Sequence, residues 1–275
     1  MAQTTVASSK TTMTVRGQSL EVAELEVVRL EKLAAKDPVE MKKLLKAAEF
    51  DGYFYITFDD ELSKKVASYI ETSYSNSRDF FARPLEEKMK EFRENETFLG
   101  YKRSGIETFE IPRDVQNTIV LPSPFSEHAE ATLDLAKICD DAVRILLRSL
   151  SESLGLGEPS SLETAHDPDG KSDSGLKFIS APAKASVADV PDNTHTDTGS
   201  ITLLWSDNWV SAMQTKDTKE WLWIDPKPGY VLVNIADFLH TQTDGRLHSP
   251  VHKVSQPFDG VGDRYFVSYF LRQNY

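Results

Sequence analysis

The feature that most constrains the fold of this chain is a change of rhythm near residue 176. From there, "LKFISAPA", "ITLLW", "WLWIDP", "GYVLVNIADFLHTQT", "VHKVS" and "RYFVSYFL" follow one another as short runs rich in β-branched and aromatic residues. Turn-forming residues separate them, which predicts a sandwich or barrel of antiparallel strands rather than alternating strand–helix units. The preceding half reads differently. Pro38 fits the first turn of a helix that the Asp51–Gly52 pair can end. "YFYITF" reads as a buried strand. Leu62, Val66 and Ile70 then recur at helical spacing behind an acidic first turn, and Pro84 stops that helix. "PLEEKMKEF" adds a helical turn or two, and the stretch from Phe98 to Phe125 mixes strand and loop character. A third helix spans about Glu127 to Leu154, ahead of Gly155 and Gly157. The expected organisation is a mobile tail over 1–20, a helical region over 21–158, a polar loop over 159–175 and a β core over 176–275. The fold class is α+β.

Composition excludes several functions. The chain has 275 residues and a net charge of -12. Phosphate backbones are bound by clustered Lys and Arg, so nucleic acid is not an expected partner. A single cysteine, Cys139, rules out an intrachain disulfide and a thiolate zinc site. It sits in the amphipathic run "LDLAKICDDAVRILL" and reads as a small core residue. The first residues lack the apolar stretch of a secretory signal. No run approaches the roughly 20 apolar residues of a membrane span, so no membrane partner is expected either. The expected location is cytoplasmic.

The chemistry concentrates in "HTDTGSITLLW". His195 and Asp197 stand at i and i+2, so on an extended segment both point to one face. A first-row metal accepts that pair, and one further histidine would complete a facial triad that leaves open positions on iron. The candidates are His128, His166, His240, His248 and His252. His248 and His252 share strand parity in "GRLHSPVHKV", so periodicity does not choose between them.

From Leu176 to Phe270 the sequence resembles the isopenicillin N synthase-like branch of the Fe(II)/2-oxoglutarate-dependent dioxygenases. "HTDTGSITLLW" resembles the family's H-x-D strand. "WLWIDPKPGYVLVNIADFL" resembles its W-x-x-V-x-P-x-P-G-x-x-V-V-N-x-G-D-x-L. "TDGRLHSPVHKV" resembles N-G-x-x-x-S-x-x-H-R-V, and "RYFVSYF" the R-x-S strand. Upstream, "LLKAAEFDGYFYITFDDELSKKVASYIETSYSNSRDFFARPLEEKMKEF" is similar to the family's N-terminal region. The resemblance implies a distorted double-stranded β-helix, or jelly roll, with the helical region packed against it. It implies an iron site of His195, Asp197 and His252, which selects His252 over His248. It implies that Arg264 pairs with the distal carboxylate of 2-oxoglutarate, bidentate and always charged. The implied reaction converts 2-oxoglutarate and O₂ to succinate and CO₂ while a C–H bond of a small organic substrate is oxidised. Hydroxylation is the default outcome, and desaturation or ring formation begins with the same hydrogen abstraction.

The sequence departs from that pattern in three places. The serine usual two residues after the arginine is Phe266, and the tyrosine of the family's Tyr-Pro pair is Ala181. Each lost hydrogen bond to a charged group is worth about 1.5–3 kcal/mol. The sequence also stops at Tyr275, where relatives carry a further segment over the substrate mouth. These departures keep a 2-oxoglutarate-independent, ring-closing iron oxidase as an alternative; a non-catalytic ligand-binding barrel and a zinc hydrolase rank lower. Trp205, Trp209, Trp221 and Trp223 lie close together, and any that line the mouth point to an apolar or aromatic substrate. Lys102 and Arg103 are candidates to meet an acidic substrate group.

Overall fold

A computed structural model describes residues 8–115, 120–157 and 161–275. The chain opens with a hairpin of β1 (Lys10–Val15) and β2 (Gln18–Ala23), followed by β3 (Val27–Arg29), α1 (Leu30–Ala34), α2 (Pro38–Phe50), β4 (Tyr53–Thr57) and α3 (Asp60–Phe81). Next come α4 (Leu85–Lys88), β5 (Gly100–Ser104), β6 (Ile106–Pro112) and the long α5 (Ala129–Leu154). The C-terminal half supplies β7 (Gly175–Ala181), β8 (Ile201–Trp205), β9 (Ser211–Gln214), β10 (Trp221–Trp223) and β11 (Val231–Ile235). After a short α6 (Asp237–Gln242), β12 (His252–Val254) and β13 (Arg264–Leu271) complete it.

Two sheets face each other. The larger runs β3-β4-β11-β8-β13-β7-β6-β5 and the smaller β1-β2-β10-β9-β12. They form a jelly-roll core that does not close into a barrel. The helices begin where side chains satisfy orphan backbone donors. Asp37 accepts from the amides of Val39 and Glu40 at the start of α2, and Asp59 accepts from Glu61 and Leu62 at the start of α3. α5 ends on Gly155 at φ 71°, a left-handed cap that glycine adopts without strain.

The period of two along β13 divides the molecule. Val267, Tyr269 and Leu271 join the main core with α5 residues such as Leu135, Cys139, Val143 and Leu146. Tyr269 donates from its hydroxyl to Asp140 on α5 at 2.8 Å. Arg264, Phe266, Ser268 and Phe270 point the other way, into a cavity between the sheets. The strand is therefore anchored by its helix-facing side chains and presents the alternate ones for chemistry.

Several elements differ from the sequence reading. Residues 10–20 are not a loose tail: they form most of the hairpin, which continues the smaller sheet where Val22 pairs with Trp223. Leu20 and Val22 anchor it by packing against Phe258, Trp209 and Trp223. Residues 1–7 of the expected tail, and the expected boundary at 158/159, lie outside the described residues. The N-terminal region also gives β3, β4, β5 and β6 to the larger sheet, so it is not a separate helical layer. "GYVLVNIADFLHTQT" splits into β11 and α6. Among the described residues, no helix is long and apolar enough to cross a membrane.

Gly52 locks the N-terminal region to the segment that leads into β12. It sits at φ 68°, and a Cβ there would meet the His248 carbonyl oxygen at 2.1 Å and Pro250 Cδ at 2.8 Å. Gly52→Ala should lower stability by more than about 2 kcal/mol, since left-handed strain adds to a backbone clash. A lowered denaturant midpoint at unchanged m-value checks this.

Candidate metal centre

His195 lies just before β8 and His252 opens β12. A two-way backbone bridge joins them: each amide donates to the other's carbonyl at 2.9 Å. This pairing brings the two imidazoles to 4.3 Å between ring centroids. Each Nδ1 faces a backbone carbonyl, Asn193 O at 2.5 Å for His195 and Pro250 O at 3.1 Å for His252. A carbonyl can only accept, so both Nδ1 atoms carry the proton and both Nε2 lone pairs are turned inward.

Asp197 stands between them. Its Oδ1 is 3.6 Å from His195 Nε2 and 3.7 Å from His252 Nε2. Its Oδ2 is already occupied, accepting from Thr202 Oγ1 at 2.7 Å and Asn234 Nδ2 at 2.9 Å. The carboxylate therefore offers one oxygen to a metal and is held by the other. Burial disfavours the charged carboxylate, but the neighbouring His195 and His252 rings and the hydrogen bonds from Asn234 and Thr202 outweigh it and hold the group well below the usual carboxylate range. The same carboxylate raises the His195 pKa against the effect of burial, whereas deeper burial lowers that of His252. Tyr53 covers His252 edge-on at 5.8 Å between ring centroids.

One ligand atom from each of the three residues lies within 4.8 Å of the others. Ligands about 2.1 Å from a single ion are at most about 4.2 Å apart, and both carboxylate–imidazole separations meet that limit. Two neutral imidazoles and one carboxylate suit a divalent first-row metal. The residues present fit iron. The structure brings together His195, Asp197 and His252, and leaves His248 apart: its amide bonds to Ala48 O, and burial lowers its pKa to about 4.

A cavity of about 480 Å³ opens beside the three donors, within the range of small-molecule sites. Arg264 lines it, 5 % exposed. Its Nη1 donates to Ser255 O at 2.5 Å and its Nε is buried without a partner. No carboxylate of the described residues forms an ion pair with it. Burial presses its pKa down, only partly offset by Asp263. Ala181 pairs with Arg264 in register, and Phe266 with Ile179, so the wall beside the guanidinium is apolar. Hydroxyls come from elsewhere on the wall, at Ser211 and Ser268.

Other expectations are redistributed. None of the four tryptophans lines the cavity; its rings are Tyr53, Phe98, Phe266 and Phe270. Trp209 and Trp223 instead pack the hairpin cluster. Lys102 is absorbed by the carbonyls of Arg93 and Glu96, and neither it nor Arg103 reaches the cavity. Sequence reasoning missed Thr202, Asn234 and Asp237. Asp237 accepts from Thr196 at 2.8 Å and Ser249 at 2.7 Å, and so ties the two ligand-bearing segments together. The available sign was an Asn and an Asp inside the apolar run "VLVNIADFL".

Residues 181–273 match the model of the 2OG-Fe(II) oxygenase superfamily, and residues 25–137 match that of the N-terminal region of the non-haem dioxygenases, described from morphine synthesis. The chain belongs to the 2OG-Fe(II) oxygenase superfamily. It is 29% identical to a 2-oxoglutarate-dependent dioxygenase of Gibberella zeae, over 93% of this chain and 81% of that one. It is 28% identical to another from Glarea lozoyensis, over 92% and 80%. Its fold matches the dioxygenase for auxin oxidation 1 of Arabidopsis thaliana, solved with 2-oxoglutarate, at a TM-score of 0.75 and 21% identity, covering 92% of this chain and 94% of that one. The protein is thus an Fe(II)- and 2-oxoglutarate-dependent dioxygenase, with O₂ as its oxidant.

In this oxygenase the bonds to Asp197 Oδ2 fix the carboxylate and leave its Oδ1 free to meet a metal. Thr202→Val combined with Asn234→Leu should weaken Fe(II) binding roughly 10–100-fold, as loss of such supporting bonds does elsewhere. An anaerobic metal titration measures it; unchanged affinity would show that Asp197 is held by its backbone alone.

Proposed function

We propose that His195, Asp197 and His252 hold the iron of this dioxygenase, that Arg264 takes the distal carboxylate of 2-oxoglutarate, and that the substrate is a small organic molecule with an apolar or aromatic body. The observation that carries this reading is the state of Arg264. A buried guanidinium without a protein counter-ion is costly, and it becomes favourable when an anionic ligand completes it. It shares its cavity with the three metal donors.

The bound iron supplies the chemistry that joins conversion of 2-oxoglutarate and O₂ into succinate and CO₂ to removal of a hydrogen atom from the substrate. The chain's residues position and exclude. The imidazoles of His195 and His252 present fixed Nε2 lone pairs, and Asp197 balances part of the metal's charge. Arg264 neutralises and orients the cosubstrate's far end. Ile179, Leu204 and Phe266 form an apolar wall that keeps water from it. The phenyl rings of Phe98 and Phe270 support an apolar or aromatic substrate body. Hydroxylation is the simplest outcome for such a site, with desaturation and ring formation as variants of the same first step.

Metal stoichiometry and cosubstrate affinity test the assignment separately. Wild type and His248→Ala should bind one equivalent of Fe(II), while His252→Ala and Asp197→Ala should bind far less. Arg264→Gln should keep the iron and weaken 2-oxoglutarate binding about tenfold to a hundredfold, the range of a lost charge-assisted pair. Metal loss in His248→Ala with retention in His252→Ala would reverse the choice of ligand. An unchanged 2-oxoglutarate requirement in Arg264→Gln would move the cosubstrate elsewhere.

A further inference from the structure

The far wall of the cavity holds a second cationic group that the iron and 2-oxoglutarate leave unused. Lys177 on β7 and Arg272, just beyond β13, both line the cavity, and both are largely buried. They share one carboxylate. Glu110 on β6, with a side chain 0% exposed, lies 2.7 Å from Lys177 Nζ through Oε2 and accepts from Arg272 Nη1 through Oε1 at 2.6 Å. The neighbouring Asp173 meets Arg272 through its backbone carbonyl and turns its carboxylate to Tyr275. Two cations against one anion leave this wall with one positive charge in excess, in a protein whose net charge is -12. Arg272 Nε is buried and has no hydrogen-bond partner.

The surroundings are aromatic. The Arg272 guanidinium carbon lies 4.0 Å from the Phe98 ring centroid and 4.8 Å from that of Phe270, and Lys177 Nζ lies 4.6 Å from Phe270. Strand register locates the group. Lys177 pairs with Ser268, which pairs on its other side with Leu204, while Phe270 pairs with Thr202, the residue bonded to Asp197. Lys177 is thus two strand spacings, about 10 Å, from the β8 row that supports the metal centre. Along β13, Arg264 is four residues from the Lys177 level, about 13 Å, so the two cationic groups do not serve one carboxylate.

We propose that Lys177 and Arg272 recognise a carboxylate on the substrate, whose apolar or aromatic body extends past Phe270 toward the metal centre. This deepens the assignment of the site and rests on it: the substrate becomes an organic acid, with the oxidised carbon roughly one ring and a short arm from its carboxylate. Glu110 keeps the two cations apart and aligned while leaving one charge unbalanced for the ligand. The acidic substrate group thus meets Lys177 and Arg272 on the larger sheet rather than Lys102 and Arg103.

A matched pair of probes tests this: 3-phenylpropanoate and its neutral carboxamide, titrated calorimetrically into anaerobic Fe(II) enzyme with and without saturating 2-oxoglutarate. The acid should bind at least about tenfold more tightly than the amide. Lys177→Gln should erase that preference by weakening the acid alone, and Lys177→Arg should keep it. Equal binding of acid and amide overturns the proposal, as does absence of saturable acid binding at millimolar concentration. So does a Lys177→Gln protein that loses 2-oxoglutarate affinity but keeps the preference. If Lys177→Gln does not fold, the comparison in wild type still decides. Failure of 2-oxoglutarate to depend on Arg264 would remove the cosubstrate assignment alone, because the proposal is read from the response of the acid–amide preference to Lys177→Gln, four residues along the sheet from Arg264.

Discussion

The site depends on two reciprocal backbone hydrogen bonds between His195 and His252. They join segments far apart in sequence and do so at the residues whose side chains must meet. Because the bridge is made by the backbone, ring approach is set by strand geometry and not by side-chain choice. Asp237 reinforces it, bonding Thr196 on one segment and Ser249 on the other. Gly52 allows the second segment to lie flat against the N-terminal region. The three candidate donors are thus held together by a closed set of contacts, an arrangement that would lower the reorganisation required to bind a metal.

Charge is distributed along the cavity with the same economy. Asp197, His195 and His252 form a compact donor set. Arg264 stands buried on an apolar wall, and Lys177 with Arg272 stands further along the larger sheet. Arg264, Lys177 and Arg272 lie on or beside β7 and β13, whose opposite faces pack against α3 and α5. The helix-facing residues of these strands, among them Val267, Tyr269 and Phe178, join the α5 stripe in the main core.

Much of this was legible in the sequence where a local rule suffices. Pro38 and Gly155 mark helix ends because capping is a matter of a few adjacent residues. The i, i+2 spacing of His195 and Asp197 predicted one face for both on an extended segment, and the structure does bring them together, though ahead of β8 and at an isolated bridge rather than within a strand. The choice between His248 and His252 was not local: both have the same parity, the family resemblance selected His252, and in the structure it is His252 that pairs with His195. The hairpin over residues 10–23 was hidden because β1 is polar and mostly exposed, so its alternation does not stand out. The four-residue β9 was too short to show a period. Lys177 lay unnoticed inside an apolar strand, since its partner Glu110 is distant in sequence and adjacent only across the sheet. The place of the tryptophans stayed open because an aromatic cluster looks the same in sequence whether it lines a cavity or fills a core.

The proposed assignment puts an iron triad and a 2-oxoglutarate carboxylate site in one cavity despite Phe266 and Ala181. Its most direct test is optical and needs no substrate. Under anaerobic conditions, the Fe(II)-loaded protein is titrated with 2-oxoglutarate and the visible metal-to-ligand charge-transfer band is followed. A band that grows to saturation at one equivalent of cosubstrate per iron is the result this account predicts. Iron bound without any band would contradict it, and would favour an oxidase in which Arg264 takes a carboxylate of the substrate itself.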